Sequence, residues 1–185
     1  PYMSESLPAN GVLAEMVSEA FRRQGITVHY QIYPLRRLYH LVATGEIDGA
    51  VGVPFAADRT RNFVFSAPLV KVNYNFFARK QDHLQVGRLA KLKGLRIGVV
   101  RGGLNEQTLL AQGLKVDAVS NHEQNIRKLL AGRIDLLVSV SEYTQYLLNH
   151  HFSEAERDQL EKLEPPFAVR AKHLVMSKKR AELSR

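Results

Sequence analysis

Apolar positions along the chain switch between a helical and an alternating period. Over GVLAEMVSEAFRRQ (11–24), Val12, Leu13, Met16, Val17, Ala20 and Phe21 recur at helical spacing, which predicts an amphipathic helix stopped by Gly25. ITVHYQIY (26–33) alternates and is rich in β-branched and aromatic residues, so it reads as a strand. PLRRLYHLVATG returns to helical spacing through Leu35, Leu38, Leu41 and Val42. Pro34 suits its first position and Gly45 its end. Residues 47–53 form a short apolar strand, and VNYNFFARK (72–80) a longer one that leaves this half of the chain.

The second half repeats the logic. Residues 95–100 read as a strand, Arg101-Gly102-Gly103 as a turn, 104–112 as a helix and 115–119 as a strand. Ser120 with Glu123 has capping-box spacing and opens a helix to Ala131, stopped by Gly132. A buried strand follows at 134–140, then a helix at 142–151 and a charged surface helix over 153–162. Pro165-Pro166 punctuates, HLVMS (173–177) is a last short strand, and KKRAELSR starts a helix. LYHLVATGEIDGAVGV and IRKLLAGRIDLLVSV echo one another: apolar helix, glycine, charged residue, Ile-Asp, apolar strand. The echo predicts two lobes of similar α/β build with mostly parallel sheets. In such sheets ligands sit beyond the carboxyl ends of the strands, where Arg59 and the glycine turn both fall.

Composition narrows the classes. With 185 residues and 45% apolar content the chain can bury a core. No apolar run reaches membrane-spanning length, and no signal peptide opens the sequence. The absence of cysteine excludes disulfides, thiolate metal sites and cysteine nucleophiles. The net charge of +8 is spread along the chain without an arginine-rich arm or an aromatic RNA-binding motif, so nucleic acid is not an expected partner. The seven histidines lack metal-ligand spacing, His150-His151 included. No Ser-His-Asp set, phosphate loop or dinucleotide fingerprint can be drawn, and no cofactor is expected.

Taken in order, Pro1-Tyr2, GVLAEMVSEAF, TGEIDGAVG, Asp58-Arg59, FSAPL, LKGLRIGVVRGG and LLAGRIDLLVSV resemble the bacterial extracellular solute-binding proteins of family 3, which capture polar amino acids for ABC transporters. The same module forms the outer sensory domain of some membrane kinases. The YPLRRL element resembles a less characterised subgroup with a Pro-x-x-Arg element. The resemblance implies an α/β, two-lobed periplasmic-binding-protein-like fold with a cleft between lobes. Residues 1–78 plus 171–185 would form lobe one and 79–170 lobe two, with hinge strands near Ala78 and Arg170. By that comparison the chain is trimmed, lacking a first strand before Pro1 and a closing helix after Arg185.

The resemblance also implies site residues. Arg59, with five residues between it and Phe65-Ser66, matches an arginine that clamps the ligand carboxylate, a task suited to its planar fork of donors. A solvated loop arginine or a partner for Asp58 is the alternative. Arg101, Gly102, Gly103 and Leu104 form a turn whose amides and helix terminus suit an anion, or simply a tight turn. The family's ammonium-binding aspartate falls on Val140, flanked by Ser139, Ser141 and Glu142. Either Glu142 substitutes, or the ligand has no α-ammonium group. Leu35 stands where an aromatic wall is common, or packs in the core. Arg37 adds a second cleft charge, or is solvated. Tyr2 lines the cleft mouth, or packs under the first helix. Gly52, Val53 and Phe55 offer backbone and apolar contacts in place of hydroxyl residues. Asp48 and Asp135 read as structural caps of helix–strand turns.

The expected function is therefore extracytoplasmic, periplasmic binding of a small anionic or zwitterionic solute by hinge closure, with no enzyme activity. Its partners would be that small-molecule ligand and either an ABC-transporter permease or the protein's own membrane-anchored signalling module. A periplasmic dehydratase-like enzyme on the same fold is the alternative; Glu142 is its only nearby acid. The effector domain of a transcription regulator would need an upstream helix-turn-helix, which is not seen.

Overall fold

The computed structural model describes residues 2–3, 7–87 and 89–180. Packing divides the chain into two units, with crossings at Lys71–Val72 and Val169–Arg170. The sequence placed these crossings near 78 and 170.

Unit one contains α1 (Val12–Arg22), α2 (Leu35–Thr44), β1 (Gly49–Pro54), β2 (Phe63–Phe65) and the ends of two long strands, β3 (Val70–Arg79) and β7 (Leu160–Ser177). The amphipathic stripe of α1 buries Leu13, Ala14 and Val17. Pro34 caps α2 from just outside, and Gly45 ends it in the left-handed region at φ 79°. β7 runs antiparallel between β1 and β2: Ala50 pairs with Val175, and so does Phe65. Val42, Ala50, Val53, Phe63 and Val175 form this unit's core.

One predicted element is missing. Residues 26–33 form no strand and are mostly exposed. Strand propensity measures fit to a pleated, half-buried neighbour, and this segment has no ladder partner among the described residues. It is tied to α1 instead, where the Tyr30 hydroxyl donates to the Ala14 carbonyl at 2.8 Å and lies 3.1 Å from Ser18 Oγ.

Unit two carries β4 (Arg96–Val100), α3 (Leu104–Ala111), β5 (Lys115–Val119), α4 (His122–Leu130), β6 (Leu136–Val140), α5 (Ser141–His151) and α6 (Glu154–Arg157). β4 pairs parallel with β5 and β6, the βαβ pattern expected. β6 pairs antiparallel with β3, and β3 neighbours β7. The sheets are thus mixed rather than mostly parallel, because the crossing strands enter without a helical crossover. Phe77, Ile126, Leu129, Ile134, Leu137, Leu147 and Phe152 pack the core of this unit.

Three boundaries differ from expectation. The cap of α4 is Asn121, whose side chain accepts from Gln124 N at 2.8 Å; Glu123 pairs instead with Arg127 at 2.7 Å. A capping box does occur, between Ser153 and Glu156 on α6. The charged helix stops at Arg157, and β7 then runs for 18 residues through Pro165-Pro166. In unit two β7 is an edge strand, where missing N–H groups are tolerated. The helix expected over KKRAELSR falls mainly on 181–185, outside the described residues.

Candidate functional site

Arg59 sits in the 3-10 turn Ala57–Arg61, between β1 and β2. The turn folds the arginine back onto β1: Arg59 N bonds Ala56 O at 3.0 Å, and the residue is only 8% exposed. Its Nη1 donates to the Tyr39 hydroxyl at 3.2 Å and to the Pro54 carbonyl at 3.3 Å. Its Cζ lies 4.2 Å from the centroid of the Tyr39 ring. Among the described residues no carboxylate lies within ion-pair reach of it, so the partnership with Asp58 weighed from the sequence does not form.

The other buried arginine shows what full internal satisfaction looks like. Arg79, 9% exposed, donates Nη1 to the carbonyls of Leu129 and Ile134 and pairs Nη2 with Asp82 at 2.6 Å. Burying a guanidinium is costly unless its charge is answered. Arg79 is answered by a carboxylate and two carbonyls. Among the described residues Arg59 has a phenol, a π face and one carbonyl.

The surroundings of Arg59 include residues that sequence reasoning missed. Lys172 stands directly opposite Pro54 in the β1–β7 pair, and its carbonyl accepts from Leu69 N at 2.8 Å. Burial pushes its pKa down to about 8, helped by the nearby charges of Arg170 and then Arg59. His173 stands opposite Val53 and bonds the Ser66 carbonyl through Nδ1 at 2.8 Å. Phe65 and Phe55 flank that imidazole, with ring centroids 5.6 and 6.5 Å from it. Lys172 had a signal in the alternation of RAKHLV, but a strand begun at His173 left it outside.

The remaining unit-one candidates scatter. Phe55 is 54% exposed and packs its ring 5.2 Å from Phe65. Val53 is core. Gly52 is a surplus residue in β1 at φ 80°. Leu35 opens α2, half-buried. Arg37 is exposed and stacks on Tyr33, 5.3 Å from the centroid, which fits the solvated alternative. The Tyr2 carbonyl accepts from Leu13 N at 3.2 Å, so its backbone packs under α1.

In unit two the glycine turn is more self-contained than the sequence implied. Arg101 N bonds Val119 O at 2.8 Å, Gly103 N bonds Val100 O at 3.1 Å, and Gly102 N donates to the Glu106 carboxylate. Leu104 is the first residue of α3. Ser139 is fully buried, 2.9 Å from His122 Nδ1. Ser141 Oγ donates to Asn75 Oδ1 at 2.6 Å. Glu142 is exposed in the first turn of α5. Asp135 behaves as the expected structural cap, accepting from Arg96 N at 2.7 Å; Asp48 instead reaches Arg180 at 3.7 Å.

A shallow groove of about 570 Å³ in this unit is lined by Arg96, Arg101, Glu106, Lys115 and residues 116–118. Its arginines are engaged internally: Arg96 by Asp135, Arg101 by the Ala118 carbonyl. Among the described residues no cluster of metal-ligating side chains occurs, and no helix is long and apolar enough to cross a membrane.

No protein-family model matches the chain. A curated relative is the probable ABC transporter extracellular-binding protein YckB of Bacillus subtilis (strain 168), 25% identical over 132 residues, 70% of this chain. The chain spans 46% of that relative's length. A histidine kinase sensor domain with similarity to periplasmic binding proteins superposes with a TM-score of 0.83 at 21% identity, over 94% of this chain and 75% of that one. The arginine-bound form of truncated ArgBP from T. maritima gives 0.79 at 19% identity, over 94% and 80%. The ligand-binding core of GluR0 from Nostoc punctiforme, solved with L-glutamate, gives 0.77 at 14%, over 96% and 81%. Element order, pairing and these likenesses together give the chain the α/β fold of the periplasmic binding proteins.

Proposed function

We propose that this chain is a non-catalytic module that captures a small anionic or zwitterionic solute, an amino acid or related organic acid, outside the cytoplasm. Arg59 is the clamp for the solute's carboxylate. The observation that carries the reading is a guanidinium 8% exposed with no carboxylate within ion-pair reach among the described residues. A bound carboxylate would supply two charge-assisted hydrogen bonds and remove the penalty of an unanswered buried charge.

The similar proteins support this class. They include an extracellular-binding protein, a kinase sensor domain, and binding cores solved with arginine or L-glutamate. The module would deliver its solute to a permease or report it to a membrane-anchored signalling module. Bending of β3 and β7, the two strands by which the chain passes between units, is the proposed route of closure. Phe55 and the backbone around Gly52 complete the proposed contacts within unit one; Glu142, exposed in the first turn of α5, is the acidic group proposed for an ammonium. Ser139 and the amides of Arg101, Gly102 and Gly103 are committed to internal partners and drop out of the proposed set.

The test is a thermal-shift screen over amino acids and small organic acids. A specific solute raises the melting temperature by mass action. Arg59→Ala is expected to abolish that rise while the unliganded protein still melts cooperatively. A variant that responds like the parent would remove the clamp assignment.

A further inference from the structure

Unit one holds a second buried polar side chain near the arginine. His173 is 8% exposed, and its Nδ1 lies 2.8 Å from the Ser66 carbonyl. A carbonyl can only accept, so the hydrogen sits on Nδ1, and Nε2 carries the lone pair while the ring is neutral. Nε2 has no hydrogen-bond partner among the described residues. It still reaches the surface, since the sealed and unpartnered side-chain atoms among those residues belong to Asp82 and Asn125.

His173 and Arg59 lie on the same side of the sheet. His173 pairs with Val53, Ala50 and Phe65 each pair with Val175, and paired residues share a face. That face is the one α2 covers: Val42 joins Ala50, Val53, Phe63 and Val175 in one cluster, with Tyr39 and Phe65 packed against it. Tyr39 holds the Arg59 guanidinium, and Phe65 meets the His173 ring edge-on. The rungs are neighbours too, because Arg59 Nη1 bonds the carbonyl of Pro54, the residue after Val53. Successive residues rise about 3.3 Å along a strand and paired ones stand about 5 Å apart, a span that a small organic acid covers. The exposed Phe55 flanks the imidazole and gives it an apolar wall.

We propose that His173 Nε2 is a second contact of the Arg59 site, accepting a hydrogen bond from a hydroxyl or ammonium group of the solute. The solute is then a carboxylic acid that carries a donor, a hydroxy acid or an amino acid, and not a bare carboxylate. The inference rests on the reading of Arg59 as a carboxylate clamp and adds the group that discriminates among acids. Ser66 fixes which nitrogen accepts, and an acid without a donor leaves that buried nitrogen unpaired. The flanking rings hold water off the contact and so strengthen it.

The experiment is calorimetric titration at pH 7.5 of the intact chain with propionate, L-lactate and L-alanine, in the parent, His173→Asn and Arg59→Ala. The acids share one carbon chain and differ in carrying no donor, a hydroxyl or an ammonium. The parent is expected to bind L-lactate or L-alanine about fivefold or more tighter than propionate, the worth of one hydrogen bond. The tighter of the two identifies the donor. Asparagine keeps an N–H near the Nδ1 position for the Ser66 carbonyl and has nothing at Nε2. His173→Asn is therefore expected to bring the ratio toward one with propionate affinity unchanged. A second measurement follows the His173 nitrogen NMR signals of the parent. Nε2 is expected at an unprotonated position, and to shift further on saturation with the tighter acid than with propionate. A parent that binds propionate at least as tightly as both other acids overturns the His173 assignment and leaves the clamp standing. So does a parental ratio in His173→Asn, which would pass the donor to another acceptor such as Glu142, or an unmoved Nε2 signal. Absence of binding by all three acids, or an Arg59→Ala protein that binds like the parent, overturns both. The NMR signal decides the matter even should His173→Asn not fold.

Discussion

The guanidinium of Arg59 lies over Tyr39 with Cζ 4.2 Å from the ring centroid, while its Nη1 donates to the same residue's hydroxyl at 3.2 Å. One side chain from α2 therefore holds the arginine by face and by edge. Tyr39→Phe keeps the face and removes the acceptor. It is expected to lower stability by about 1 kcal/mol, the usual worth of one hydrogen bond. Tyr39→Leu removes both and is expected to cost more, since a partly desolvated cation–π contact adds about 1 kcal/mol. Urea unfolding of the two variants beside the parent measures the difference; equal midpoints for Phe and Leu would deny the ring a role.

Lys172 predicts a dependence on alkaline pH. Its folded pKa of about 8 lies below the ordinary lysine value of 10.5, chiefly through burial and then through Arg170 and Arg59. The unfolded chain holds that proton more tightly, so the penalty on the folded state is complete below about pH 8 and is relieved as pH rises toward 10.5. Stability of the parent relative to Lys172→Met is therefore expected to climb across that window. Parallel pH profiles for the two proteins would contradict it.

Asp135 predicts the opposite window. The Arg96 guanidinium beside it, and then the Arg96 amide, hold its carboxyl below the usual value of 3.8. Its contribution is present above that value and is lost as pH falls through the lower folded pKa. Asp135→Asn is expected to lower the urea midpoint at neutral pH, and the gap to the parent is expected to close in acid. A gap that stays constant to low pH would mean the ion pair is not its source.

Gly98 predicts a packing limit in unit two. A β-carbon there would lie 2.4 Å from Ile134 Cδ1 and 2.7 Å from Asn125 Oδ1. Both neighbours are fully buried, and among the described residues neither polar atom of the Asn125 side chain has a hydrogen-bond partner. Gly98→Ala is expected to destabilise by about 1–3 kcal/mol, the range for overpacking a close-packed core. A melting temperature equal to the parent's would show that Ile134 can move aside.

Helices α1 and α2 were legible because their apolar stripe and glycine stops are local facts. Residues 26–33 misled because a strand is a relation between two segments, and only one was in view. Pro165-Pro166 misled in the other direction: proline ends a central strand but not an edge, and edge position is set by the whole sheet. The site divides in the same way. Arg59 was singled out by the family resemblance, in which its spacing to Phe65-Ser66 took part. The glycine turn was legible as a turn, but the Glu106 carboxylate that answers Gly102 reaches back from the first turn of α3, a contact that composition does not announce. Lys172 was hidden because its meaning comes from the residue across the ladder.

That ladder carries one surplus residue. Val51 stands opposite Leu174 and Val53 opposite His173, leaving Gly52 without a counterpart. Because side chains alternate along a strand, the extra position acts as a phase shifter for everything downstream. Pairing the same residues without the bulge would set Gly52 opposite His173 and Val53 opposite Lys172, turning Val53 and Pro54 to the opposite surface and moving the turn that carries Arg59, whereas deleting Gly52 would leave Val53 opposite His173. In this segment the pairing register, more than residue identity, decides which way the side chains leading to Arg59 point.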